Sequence, residues 1–162
     1  MRILGGRRSP NNQLVAAKMV KPEDITGVAM SLKVDEEFSL VALLATDGSI
    51  NRLGTGTIDN TEKTMFIGVI NDPKPFQNLR AQISPDLYKW IGGRADQSLK
   101  GKICELTIWL FLPNKEERTL YFKYGSESIG PPTEVCQLVF AAIDITNPWY
   151  EQFKAGIVKK EK

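Results

Sequence analysis

Alternation of apolar and polar side chains runs through most of this chain, and it predicts strands. Val28, Met30, Leu32 and Val34 alternate with Ala29, Ser31 and Lys33, so a strand is expected from about Val28. The stretch from Leu14 to Val34 also carries a helical pattern. Pro22-Glu23-Asp24 looks like a first helical turn, and Ile25, Val28, Ala29 and Leu32 share a helical face. Gly27 weighs against the helix, because glycine adds backbone entropy there.

Downstream the strand signal strengthens. Phe38 to Thr46, Ser49 to Thr57 and Thr64 to Ile70 form a meander. Asp47-Gly48 suits a two-residue hairpin turn, since both residue types tolerate positive φ, and Asp59-Asn60-Thr61-Glu62 is a polar turn. Asn71-Asp72-Pro73-Lys74-Pro75 ends the meander, and two short helices are expected next. Phe76, Leu79 and Ile83 share one helical face. Ser84-Pro85 reads as an N-cap followed by proline, Leu87, Trp90 and Ile91 give the second helix its face, and Gly92-Gly93 stops it.

Arg94 to Lys102 is expected as a polar loop. Ile103 to Leu112 is a long strand with Cys104, Leu106, Ile108 and Leu110 on one face and Glu105, Thr107, Trp109 and Phe111 on the other. Pro113-Asn114-Lys115-Glu116 turns the chain into an aromatic-rich strand from Arg118 to Tyr124. After a loop from Gly125 to Thr133, the nearly unbroken apolar run Glu134 to Ile145 is expected to be a central strand. Asn147-Pro148 then caps a last helix bearing Trp149, Phe153 and Ile157. Short connections imply antiparallel neighbours, and the missing βαβ alternation disfavours a doubly wound fold. The expected class is α+β: a curved, mainly antiparallel sheet of about six or seven strands, with a helical insert and a C-terminal helix on one side.

Composition sharpens the domain picture. The chain of 162 residues is 42% hydrophobic and 25% charged, in the range of a soluble globular domain. Residues 1–13 are expected as a flexible arm, 14–158 as a single globular domain and 159–162 as a basic tail. No segment is long or apolar enough for a leader or a membrane span, so a cytoplasmic, membrane-free protein is expected. The net charge of +2 and the interleaving of acids and bases disfavour nucleic acid as a partner. Cys104 and Cys136 are expected as buried reduced thiols on strands.

The chain has no histidine. A Ser-His-Asp triad, a Cys-His pair, histidine metal sites and an imidazole shuttle are therefore excluded. Other motifs fail on context. Ser126-Glu127-Ser128-Ile129-Gly130 resembles a nucleophile elbow, but Pro131-Pro132 stands where its helix should begin. Gly92 to Lys102 brushes against a phosphate loop, but Asp96 takes a glycine position and a strand follows. Asp72-Pro73-Lys74 lacks the further carboxylates of a metal nuclease. Tyr150 and Lys154 have the spacing of a dehydrogenase pair without its dinucleotide fold, and read as a surface i, i+4 pair. Asp144, an acid inside an apolar run, is expected either to cap a helix or to pair with a buried arginine.

No cofactor and no metal site are expected. The preferred reading is a non-catalytic module that binds another protein or copies of itself, marked by an exposed apolar patch or sheet edge. Trp109 and Tyr121, among the strand aromatics, are candidate binding residues. The alternative is a small carboxylate-based hydrolase or ligand-binding enzyme with a cleft between loops 92–102 and 125–133. Its candidate residues are Arg94, Lys100, Lys102, Ser126, Glu127 and Ser128.

Overall fold

The computed structural model describes residues 20–161, with side chains described as far as 156. The expected arm 1–13 and the side chains of the tail 159–162 lie outside that range. So does the side chain of Ile157.

Strands β1 (Gly27–Val34), β2 (Glu37–Ala45), β3 (Ser49–Leu53) and β4 (Phe66–Val69) come first in the chain. Helices α1 (Lys74–Arg80) and α2 (Pro85–Tyr88) follow, then strands β5 (Gly92–Ala95), β6 (Ile103–Phe111) and β7 (Glu117–Gly125). Helix α3 (Thr133–Glu161) ends the fold. The strands make one seven-stranded sheet in the order β4-β3-β2-β1-β6-β7-β5. All neighbours are antiparallel except β5, which runs parallel to β7. The class is α+β, with a curved, unclosed sheet and the helices on one of its faces.

Alternation positions the core. On β6, Cys104, Leu106, Ile108 and Leu110 are buried while the residues between them are only half-buried. The same holds for Val28 and Met30 on β1 and for Leu120 and Phe122 on β7. These side chains pack against Phe76 and Leu79 of α1, Leu87 of α2, and Val135 and Leu138 of α3. Apolar burial of this kind supplies most of the driving force for folding.

Five expectations about elements and their caps change. Glu134 to Ile145 is helix, not strand. Val135, Leu138, Val139 and Ala142 are buried at i, i+3, i+4 and i+7, which is the helical period. The exposed Phe140, at 62%, is what makes the run look continuous. Asn147-Pro148 caps nothing, because Pro148 lies inside α3. Gly92-Gly93, expected to stop a helix, opens strand β5, which takes in Arg94 and Ala95 of the expected loop. The Asp47-Gly48 hairpin forms, but only Gly48 has positive φ, at 91°, and the loop spans Thr46 to Gly48. Ser84 occupies the N-cap position of α2 without a side-chain capping bond.

β1 is settled as a strand by its neighbours: it lies between β2 and β6, paired along its full length with both. Pro22–Asp24 forms only a short 3-10 turn. The β1–β2 turn places Asp35 and Glu36 at φ 49° and 69°, which is uncommon without glycine. Ile103 holds it: its carbonyl accepts the Asp35 N–H at 2.8 Å, and its N–H donates to Asp35 Oδ1 at 3.0 Å.

Candidate functional site

Helices cover one face of the sheet, and the other face carries its own organised surface. Register fixes which residues meet there. One row runs Val41, Ser31, Thr107, Tyr121 across β2, β1, β6 and β7. The next row places Lys33 opposite Glu105 and Glu105 opposite Lys123. A register shift between Leu32 and Lys33 buries both Ser39 and Leu40 and brings Phe38 opposite Lys33. Sheet curvature and these rows enclose a basin of about 550 Å³, into which Leu53, Met65 and Trp109 also project.

The basin is apolar with a polar end. Tyr121 donates its phenol proton to Glu105 Oε2 at 2.6 Å. That bond, with some burial, pushes the phenol up to about 12, so the ring stays neutral at ordinary pH. Lys33 Nζ lies 5.0 Å from the centroid of Phe38. Among the described residues, no carboxylate lies within ion-pair distance of Lys33.

The structure brings Trp109 and Tyr121 onto this face. Phe122 and Tyr124 point to the core side of β7, so the strand aromatics divide between the two faces. The loop residues gather elsewhere. Loops 92–102 and 125–133 do lie side by side, laced by backbone bonds. Ser126 N–H donates to the Lys102 carbonyl at 2.8 Å, and Glu127 N–H to that of Lys100 at 2.9 Å. The serine hydroxyls are engaged too. Ser126 Oγ accepts from Lys102 N–H at 2.9 Å, while Ser128 Oγ accepts from Lys100 N–H and donates to the Ser98 carbonyl, both at 3.1 Å. Lys102 borders a smaller cavity of about 260 Å³ with Asp35, Glu37, Asp59 and Lys63, a lining of mixed charge. Arg94, on β5, lies 5.5 Å from the Trp90 ring and donates to the carbonyls of Gly93 and Lys89.

A second polar cluster was not legible as one. Arg52 of β3 is 1% exposed. It donates to the carbonyls of Gly54 and Ile143, to Thr146 Oγ1 and to Asn147 Oδ1. Tyr150, also 1% exposed, donates to Glu62 and accepts from Gly54 N–H. Lys154 reaches the same Glu62 oxygen at 3.2 Å. Tyr150 is thus buried rather than half of a surface pair, and its role is to fasten α3 to the β3–β4 connection. Asp144 is exposed on α3, so the buried arginine takes neutral partners instead.

Cys104 and Cys136 are free thiols. Cys104 is buried on β6 as expected, whereas Cys136 lies half-buried on helix α3, and burial pushes both thiols up. Among the described residues, no helix is long and apolar enough to cross a membrane. No protein-family model, curated protein or solved structure matches this chain.

Proposed function

We propose that this chain is a non-catalytic, self-associating module, and that its contact is the free edge of β4. The observation that carries this reading is the chemistry of that edge. β4 is a terminal strand of four residues, Phe66-Ile67-Gly68-Val69, with no charge among them. Ile67 and Val69 are each 66% exposed on the helix-free face. Edge strands normally carry charges, prolines or a covering element, because their unpaired N–H and C=O groups invite another strand. The opposite edge follows that rule: β5 is glycine-rich and carries Arg94.

β4 is also held rigidly from behind. Phe66 packs on Tyr150 and Phe153, with ring centroids 5.6 and 5.0 Å away. A strand so anchored loses little entropy on pairing. Antiparallel pairing of two β4 edges about a two-fold axis would continue the sheet and set Ile67 and Val69 of the two copies against one another across the seam.

The hydrolase reading has less to stand on. Its two loops are laced together and their serine hydroxyls are bonded to backbone, as described above.

Light scattering coupled to size exclusion tests the proposal. The unmodified chain is expected at the mass of two 18.1 kDa protomers. The double variant Ile67→Lys, Val69→Lys is expected at the mass of one, with its thermal transition retained. A monomeric unmodified chain at tens of micromolar, or a dimer indifferent to both substitutions, would sink it.

A further inference from the structure

We propose that the basin on the helix-free face binds a small monocarboxylate bearing an apolar chain or ring. Volume, lining and charge point the same way. Its roughly 550 Å³ falls within the range of small-molecule sites, about 300–1,000 Å³. Val41, Leu53, Met65 and Trp109 offer the body of such a ligand an apolar bed.

The sign of the ligand's charge follows from what each polar group already does. Among the described lining residues, Lys33 is the one cation and Glu105 the one anion. Glu105 is already engaged by the Tyr121 phenol at 2.6 Å, and Lys123 stands opposite it on β7. Its row therefore holds two cations against one hydrogen-bonded carboxylate. Among the described residues, Lys33 rests against the face of Phe38 and makes no ion pair or hydrogen bond through Nζ. Ser31 and Thr107, in the adjoining row, add hydroxyl donors. A carboxylate at Lys33 would make charge-assisted hydrogen bonds that no group among the described residues makes there, and a cationic head group would meet repulsion.

Calorimetric titration with decanoate and with decyltrimethylammonium, both below micelle formation, tests this on the full chain. Saturable one-to-one binding of decanoate is expected, at least tenfold tighter than that of the cation. Lys33→Met is expected to weaken decanoate about tenfold, while Lys74→Met, on the helix-covered side, leaves it unchanged. Equal affinity for the two head groups, absence of saturation, or full affinity in Lys33→Met would overturn the proposal. The head-group comparison uses the unmodified protein, so it decides the matter even where a variant fails to fold.

Discussion

The guanidinium of Arg52 sits 4.5 Å from the ring centroid of Tyr150, and this contact joins the middle of β3 to the far half of α3. Arg52 uses its remaining donors on Gly54, just past β3, and on Ile143, Thr146 and Asn147 of α3, so one side chain ties the two regions together. It also braces α3 beside Pro148. Proline removes the hydrogen bond that the Asp144 carbonyl would accept. One residue earlier, Arg52 donates to the carbonyl of Ile143, and it also donates to Thr146 Oγ1 and Asn147 Oδ1 in the turn that precedes the proline.

Replacing Arg52 with alanine is expected to cost roughly 3 kcal/mol, because buried acceptors lose their donor and the space it filled is emptied. Arg52→Lys is expected to recover only part of that loss, since an ammonium cannot serve a planar fork of acceptors. Denaturant unfolding of the three proteins measures both numbers. A loss under about 1 kcal/mol for Arg52→Ala would show that the acceptors find water instead.

Gly68 faces the helix side of β4, where a Cβ would approach Trp149 Cζ2 to 2.8 Å. Gly68→Ala is therefore expected to destabilise the fold by about 1–3 kcal/mol through overpacking. Adding Trp149→Phe is expected to return part of it, because a smaller ring clears the methyl. A double-mutant cycle by thermal or chemical unfolding reads the coupling, and strict additivity would contradict the contact.

Acid weakens this fold partly through Glu62. Its carboxyl lies below the ordinary 4.5, first because the Tyr150 phenol donates to it, and then, against the opposing pull of burial, because Lys154 bonds to it. A carboxyl lowered in the folded state contributes stability above its unfolded value and loses that contribution as pH falls through the folded one. Stability is thus expected to decline as pH drops below about 4.5. Glu62→Gln is expected to flatten that decline while lowering stability at neutral pH. Unfolding curves between pH 7 and pH 3 compare the two, and parallel curves would remove Glu62 from the account.

In alkali the basin residue Tyr121 is one of the groups that loses its contribution. Its phenol is raised to about 12 by the bond to Glu105. A group raised on folding stabilises fully below its unfolded value, near 10 for tyrosine, and that contribution disappears as pH climbs through the folded value. Absorbance titration of phenolate is expected to show one tyrosine moving to lower pH in Glu105→Gln, and no such movement when Tyr121→Phe is added. An identical titration in the unmodified chain and Glu105→Gln would refute the assignment.

Much of the fold is legible in the pattern of side chains alone. β1 and β6 follow from alternation, β2, β3, β4 and β7 from apolar and aromatic runs, and the turns between them from Asp47-Gly48, Asp59 to Glu62 and Pro113 to Glu116. Alternation records which side of a ribbon meets the core, and that demand is local, so residues two apart reveal it. The choice between strand and helix at residues 134–145 was not local in this sense. Its β-branched and aromatic residues suit a strand, and only the chance to lay Val135, Leu138 and Ala142 along a sheet already formed makes it a helix.

The candidate site marks the same boundary. Tyr121 and Trp109 stand out as aromatics, but Lys33, Val41, Leu53 and Glu105 look like ordinary strand residues until β1, β2, β3, β6 and β7 align them in rows. Strand β5 likewise is a glycine-rich stretch that becomes a strand only because β7 offers it a free edge. Side-chain pattern encodes burial because water imposes that cost on each residue separately. Register, edge and cavity arise from pairing between segments far apart in the chain, and they exist only once the backbone hydrogen bonds of those segments have been made.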